Sequence, residues 1–483
     1  LQKAIFCVGL NVDIKNTLAQ YFPGIPTDQQ IDVFSVLADF LSRPRPDTFF
    51  ILKGYAGTGK TTIISTLVKV LPMLNLRSVL LAPTGRAAKV ISGYSGRKAV
   101  TIHKKIYRKR VAGTPDLSFV LADNLHKDSL FVVDEASMIS NESITFDKKG
   151  LLDDLISYVQ AGENCRLMFV GDVAQLPPVG LNESPALNAD YLGDSFGYDV
   201  LSYELTDVVR QEKDSGILSN ATFIRKQIRS DKKPLTIKFP KLKVDGFNDV
   251  YSMTGERLIE GLHYAYDKYG IENTLVICRS NKNANLYNQN IRNRILFRDE
   301  ELTGGDHVMV VRNNYFWAAE GGEQSQSFIA NGDMAVVRRV RNVHEQHGFR
   351  FADVMLNFVD NEDAEPLSCR VLLDVLYTDA PNLSLVDQKK LFESVMVDYE
   401  HILNRKDKLA AIKLDAYYNA LQIKFSMAVT CHKAQGGQWD AVFVDQGYLT
   451  DEMLNLEFLR WLYTACTRAT KELFLLNFDK KFF

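Results

Sequence analysis

The residues Gly54-Tyr55-Ala56-Gly57-Thr58-Gly59-Lys60-Thr61 satisfy the spacing G-x-x-x-x-G-K-[ST]. Glycine at Gly54, Gly57 and Gly59 lets the backbone wrap tightly, so that successive N–H groups, those of Ala56 and Thr58 among them, face one anion. An apolar run at 49–53 precedes the loop and a helical pattern follows it through Val70. The loop therefore opens a helix, whose positive dipole end meets the same anion. Lys60 is placed to reach the β- and γ-phosphates of a nucleoside triphosphate. Thr61, followed by Thr62, offers a hydroxyl to Mg²⁺.

Two further elements fit such a site. The apolar run 130–133 ends in Asp134-Glu135, about 75 residues beyond the loop. One carboxylate there can hold Mg²⁺ and the next can activate an attacking water. After the apolar run 166–170 comes Gly171-Asp172-Val173-Ala174-Gln175-Leu176-Pro177-Pro178-Val179-Gly180. Gln175 in that stiffened loop can touch both a γ-phosphate and a second ligand. These three elements leave kinases, GTPases and many ATPases open.

The elements that must carry these residues follow from hydrophobic pattern. Thr27 reads as an N-cap before Gln30, Val33, Phe34 and Leu37, a helix with one apolar face. Short apolar runs at 49–53, 78–82, 130–133 and 166–170 alternate with helical stretches, the pattern of a parallel sheet covered on both faces. A second such series starts near Ile217, with buried strands at 274–278 and 441–444. Between those two, 306–312, 334–340 and 351–358 read as antiparallel strands of a small β insertion, and 384–418 as helices leaving it. The fold class is thus α/β.

Composition sets outer limits. The chain has 483 residues, 46% hydrophobic and 24% charged, enough for two to four ordinary globular domains. Fifty-seven basic against 59 acidic residues give a net charge of −2, so any nucleic-acid partner has to be met by local patches. No apolar run approaches the roughly 20 residues of a membrane span, and no secretory leader pattern opens the sequence given. Six scattered cysteines without a C-x-x-C pair point to reduced, buried thiols and a cytoplasmic location. His344 and His347 lack the cysteine or carboxylate cluster of a zinc site and read as a surface pair.

Taken in order, these segments resemble superfamily 1 helicases of the B branch, the RecD-like and phage Dda-like enzymes. The resemblance runs from about Thr27 to Arg468. Gln30 lies where that family reads adenine. Leu81-Ala82-Pro83-Thr84-Gly85-Arg86-Ala87-Ala88 is similar to motif Ia, and Thr101-Ile102-His103 to motif Ib. Asp134-Glu135-Ala136-Ser137-Met138 is similar to motif II, the Gln175 loop to motif III, and Leu205-Thr206-Asp207-Val208-Val209-Arg210-Gln211 to motif IV. Thr430-Cys431-His432-Lys433-Ala434-Gln435-Gly436 resembles motif V, and Leu462-Tyr463-Thr464-Ala465-Cys466-Thr467-Arg468-Ala469 motif VI. One departure stands out. Motif V usually continues Gly-Ser-Glu-Phe-Asp and here reads Gly436-Gly437-Gln438-Trp439-Asp440, which implies altered nucleotide affinity at the ribose.

The resemblance implies two RecA-like P-loop domains with ATP between them. Domain 1A (25–215, after an N-terminal helix and linker at 1–24) would carry Lys60, Thr61, Asp134, Glu135 and Gln175, with Arg210 near the domain junction. Domain 2A (216–483) would carry Arg468, with Gly436 and Gln438 also at the nucleotide. It implies a β-hairpin pin, 1B, at about 105–127, and an SH3-like and helical insertion, 2B, at about 333–422. The basic run His103-Lys104-Lys105-Ile106-Tyr107-Arg108-Lys109-Arg110 belongs to that pin; it is either a wedge at a duplex junction or a solvated hairpin. Phe119 is either a stacking or a small-core residue. Pro83, Thr84, Thr101, His103, Thr430 and His432 would contact DNA, although threonines in such loops are otherwise ordinary caps.

The function implied is an ATP- and Mg²⁺-dependent DNA helicase that moves 5′→3′ on single-stranded DNA and opens single-strand/duplex junctions, working as a monomer away from membranes. A translocase that unwinds poorly and an ATP-binding DNA adaptor without turnover are the alternatives.

Overall fold

The structure is a computed structural model; it describes residues 13–43, 47–109, 119–141, 150–208, 215–229, 239–314, 316–317, 329–359 and 365–483. Arg210 and residues 110–118 of the expected pin lie outside the described residues, as does the side chain of Phe119.

The first lobe is built on a six-stranded parallel sheet. Its spatial order is Ala99–Thr101, Arg77–Ala82, Lys127–Val133, Glu163–Gly171, Thr48–Gly54, Asp199–Leu205. The middle strands are apolar along their length because helices cover both faces. Phe50, Leu52, Val132 and Val170 pack on one side with the Asp28–Ser42 and Lys60–Val70 helices. Phe49, Ile51, Phe131 and Phe169 pack on the other with Leu151–Gln160. All strands run the same way, so Gly54, Pro83, Asp134 and Asp172 emerge at one edge, where open α/β sheets bind ligands. The acid pair does not sit on the strand next to the glycine loop. The Glu163–Gly171 strand lies between them and puts Asp172 at the centre of the edge.

The second lobe repeats the plan with five parallel strands in the order Ala428–Thr430, Thr274–Cys278, Trp439–Asp445, Ala469–Leu476, Val250–Met253. From it grows a closed five-stranded barrel of His307–Val310, Met334–Gln346, Phe349–Phe358, Leu367–Leu372 and Leu421–Phe425. The barrel thus begins before 333 and closes after 422. Its first strand, His307–Val310, lies within the 306–312 stretch read as a strand of the insertion and pairs with both the second and the last. The helices Leu385–Asp398 and Arg405–Lys413 leave between the last two strands and pack Leu391, Val395 and Ile412 against Phe351 and Leu372 of the barrel. At the hairpin position, Tyr107–Lys109 pairs antiparallel with Phe119–Leu121.

The described cysteines, Cys165, Cys278, Cys369, Cys431 and Cys466, are free and buried. His344 and His347 contact Tyr417, and among the described residues no three or more His, Cys, Asp or Glu side chains gather as they would around a metal ion. No helix among the described residues is long and apolar enough to cross a membrane.

Candidate functional site

The glycine loop turns into its helix through Gly59, whose φ of +91° is a left-handed conformation open to glycine at little cost. Gly54 admits no side chain, since a Cβ there would lie 2.8 Å from Thr58 Oγ1 and 3.1 Å from Leu205 Cβ. Lys60 Nζ donates to the carbonyls of Gly54 (2.6 Å) and Tyr55 (2.9 Å), and the Thr58 hydroxyl donates to Tyr55 O (2.9 Å). Thr61 is exposed and Thr62 half-buried at the helix start.

Gln30 stands behind the loop, 1% exposed. Its Oε1 accepts from Thr27 N–H (3.0 Å) in a capping box, and its Nε2 donates to Thr58 O (3.4 Å). The amide is thereby engaged with protein at both ends. The neighbouring Gln29 ties down the exit of the Asp199–Leu205 strand, accepting from the N–H groups of Thr206 (2.8 Å) and Asp207 (3.0 Å).

At the sheet edge, Asp134 accepts from Tyr94 Oη–H (2.7 Å) and from the Glu135 N–H (2.8 Å). Glu135 adopts φ +52°, an uncommon conformation for a non-glycine residue and one that collects at functional sites. Burial pushes both carboxyls above their ordinary range. Against it, Arg468 pulls Glu135 down most strongly, followed by Lys60 and a hydrogen bond from Gln175, while Asp134 pushes it up. Gln175 Oε1 is buried and, among the described residues, without a hydrogen-bond partner.

The second lobe closes directly onto this edge. Tyr463, 1% exposed on the Leu456–Cys466 helix, donates its hydroxyl to Asp172 (2.7 Å) and accepts from the Ala56 N–H of the glycine loop (2.9 Å). Thr464 Oγ1 accepts from Leu176 N–H (2.9 Å), and Gln435 Nε2 donates to Leu176 O (2.6 Å). Arg468, 3% exposed, is aimed by its bonds to Thr464 O (3.1 Å) and Gly437 O (3.1 Å). Gly436 has φ +72°, and a Cβ there would meet Ala87 Cβ at 2.9 Å and Thr84 Oγ1 at 3.1 Å. Arg86 lies 4.0 Å over the Trp439 ring and donates to Gln438 O (2.9 Å), whereas the Gln438 side chain is exposed.

The residues expected on DNA stand at or just after the ends of parallel strands, Arg77–Ala82 and Ala99–Thr101 in the first lobe and Ala428–Thr430 in the second. Thr84 and Thr101 are helix N-caps that accept from Ala87 N–H (3.3 Å) and Lys104 N–H (3.2 Å), the ordinary role of threonine at such a position. Pro83 is half-buried. Thr430 holds a capping position without a side-chain cap bond. Burial pushes His103 down to about 4 and also lowers His432, so both imidazoles are neutral at pH 7.

Several members of this site are invisible to motif reading as chemistry. Asp172 and Tyr463 were legible only as letters within motifs, and Tyr94 not at all. Their significance is the pairing of residues far apart in sequence.

The chain is similar to several known proteins. Residues 36–238 match the AAA domain family, and residues 425–476 the UvrD-like helicase C-terminal domain family. An uncharacterized protein, R530, of Acanthamoeba polyphaga mimivirus is 23% identical over 92% of this chain and 98% of its own length. The ATP-dependent DNA helicase Dda of Enterobacteria phage T4 is 26% identical over 64% of this chain and 66% of its own. The ATP-dependent RecD2 DNA helicase of Deinococcus radiodurans is 33% identical over 27% of this chain and 16% of its own. With the glycine loop in the stretch that matches the AAA domain family and Arg468 in the stretch that matches the UvrD-like helicase C-terminal domain family, facing each other over one buried acid pair, the chain has the domain pair of a helicase and is similar to ATP-dependent DNA helicases.

Proposed function

We propose that the chain hydrolyses ATP and couples turnover to 5′→3′ movement along single-stranded DNA and to duplex separation at a junction. One observation carries this reading: cations from both lobes, Lys60 and Arg468, act on the same buried carboxylate, Glu135. A site completed by two lobes makes chemistry depend on their closure, and that dependence is what a motor needs.

Thr61 and Asp134 would hold Mg²⁺. Each Asp134 oxygen accepts one hydrogen bond and retains a second lone pair, a donor set suited to a hard cation. The ion would supply charge neutralisation on the phosphates. Lys60 exchanges the Gly54 and Tyr55 carbonyls for phosphate oxygens, and the N–H groups of Gly57, Thr58 and Gly59 cradle the same group. Glu135 takes the proton of the attacking water. Gln175 Oε1, an acceptor awaiting a donor, holds that water's other hydrogen. Arg468, with Arg210 as its partner from motif IV, neutralises charge developing on the γ-phosphoryl oxygens. Gly436 and Gln438 border the ribose, and Gln30 supports the loop from behind.

The strand crosses Pro83, Thr84, Thr101 and His103 on the first lobe and Thr430 and His432 on the second. Neutral hydroxyls and imidazoles grip phosphates without reading sequence. Alternate closing and opening shifts one set of grips past the other. The hairpin at 107–121 meets the junction. The molecule works as a monomer.

The test is ATP turnover with and without single-stranded DNA, followed by unwinding of duplexes carrying a 5′ or a 3′ tail. The expected result is strong stimulation by DNA, loss of turnover in Lys60→Ala, and unwinding of the 5′-tailed substrate. Turnover indifferent to DNA would reject the motor, and unwinding from the 3′ tail would reject the polarity.

A further inference from the structure

Both oxygens of the Asp134 carboxylate are held. Oδ1 accepts from the adjacent Glu135 N–H (2.8 Å), and Oδ2 accepts from Tyr94 Oη–H (2.7 Å). The main chain of Asp134 is tied as well, its N–H donating to Leu81 O (3.0 Å) in the Arg77–Ala82 strand. Tyr94 comes from the Gly85–Ser95 helix that follows this strand. One hydrogen bond on each oxygen fixes the carboxylate about both of its side-chain torsions.

Tyr94 is anchored in turn. Its carbonyl accepts from Ser65 Oγ–H (3.2 Å) on the Lys60–Val70 helix. Ser65 lies four residues after Thr61 on that helix, and residues four apart share a helix face. Tyr94 is therefore joined through its main chain to the face that carries Thr61, and through its hydroxyl to Asp134. A single residue spans the two groups that would hold Mg²⁺. The Tyr94 ring packs against the apolar core on that side of the sheet, which a phenylalanine would do as well. The hydroxyl is the part that packing does not explain.

We propose that Tyr94 is a positioning residue for Mg²⁺, acting through Asp134 by presenting that carboxylate in one orientation and at one distance from Thr61. The proposal rests on the reading of Thr61 and Asp134 as the metal's ligands, and adds the residue that sets how tightly they hold it. Removing the partner of a metal-ligating group typically weakens metal binding about 10–100-fold.

Tyr94→Phe removes one oxygen atom and keeps the ring. The probe is Mn²⁺, whose EPR signal as a free ion is lost on binding, titrated into the protein with ADP and compared with ADP alone. Binding by Tyr94→Phe is expected to be about tenfold weaker than by the unsubstituted protein. ATP turnover should then need about tenfold more Mg²⁺ to reach half its maximum, with kcat at saturating Mg²⁺ nearly restored. A merely structural role would instead lower kcat at every Mg²⁺ concentration and leave Mn²⁺ binding unchanged, and that result would overturn the proposal. Asp134→Ala separates the two levels of the argument. If it binds Mn²⁺ as well as the unsubstituted protein does, the ligand reading fails and the positioning role with it. If Asp134→Ala loses Mn²⁺ binding while Tyr94→Phe binds the ion equally or more tightly, the positioning role alone fails.

Discussion

Tyr463 shows how one oxygen atom can join two lobes. Its hydroxyl, from the second lobe, donates to Asp172 and accepts from the Ala56 N–H, two groups at the edge of the first lobe where phosphate would bind. Tyr463→Phe keeps the packing and leaves a buried carboxylate and a loop N–H without their partner. A buried group left unpaired costs about 1–3 kcal/mol. Because Arg468 follows Tyr463 by five residues, just past the end of the same helix, the expected signature is a fall in kcat of about tenfold, equivalent to about 1.4 kcal/mol, with the KM for ATP nearly unchanged. Asp172→Asn should give a similar fall, and the double variant should be no worse than either single one. Additive losses in steady-state kinetics would show the two to be independent. His103 allows a second prediction at this scale. Burial lowers it from 6.5 to about 4, so the folded protein binds fewer protons there than the unfolded chain does. Its contribution to stability is complete above pH 6.5 and is lost progressively as pH falls toward 4. Urea titrations at pH 7 and pH 5 should show a stability loss on acidification that is smaller in His103→Gln.

Between elements, the clearest device is the charge cluster that docks the barrel on the second lobe. Asp306, fully buried just before the His307–Val310 strand, accepts from Arg292 Nε (3.0 Å) and Nη2 (3.0 Å), from Arg298 Nη1 (2.8 Å) and from the Thr303 N–H (2.8 Å). Arg292 comes from the Asn281–Arg294 helix and also lies 4.3 Å over the ring of Phe425 in the last barrel strand. Helix, loop and barrel thus converge on one carboxylate. Arg292→Ala removes two of its bonds inside a dry site and should cost about 3 kcal/mol, in line with broken buried ion pairs. Arg298 is more exposed, so Arg298→Ala should cost clearly less. Chemical denaturation of both variants checks the order. A loss in Arg292→Ala below that in Arg298→Ala would mean that the barrel is held by packing alone.

For the molecule as a whole, the governing feature is that the candidate site belongs to neither lobe. Arg468 acts electrostatically on Glu135 across the cleft, and Gln435 and Thr464 clamp Leu176 from the same side as Arg468. Removing the arginine should therefore separate binding from chemistry. Arg468→Ala is expected to retain a fluorescent ATP analogue while its DNA-stimulated turnover falls about 10³-fold, the lower end of the effect of arginine fingers. Lys60→Ala should lose both. Unchanged turnover in Arg468→Ala would remove the argument that closure gates hydrolysis.

The chain of letters was sufficient for whatever is local. A glycine loop followed by a helix, apolar runs ending in acids, and Thr27 as an N-cap are each settled within about ten residues, by backbone freedom, dipole direction and side-chain period. The order of the motifs also indicated two lobes, since the chemistry of Lys60 is incomplete without Arg468. Other features were decided only when the chain closed on itself. The strand inserted between the glycine loop and the acid pair, the closure of the barrel by its first and last strands, the buried pairing of Tyr94 with Asp134, the engagement of both ends of the Gln30 amide, and the Tyr463 bridge all join residues distant in sequence. Such contacts leave no periodic trace, because a hydrogen bond between remote residues depends on how whole sheets and helices pack, and packing is a property of the assembled core.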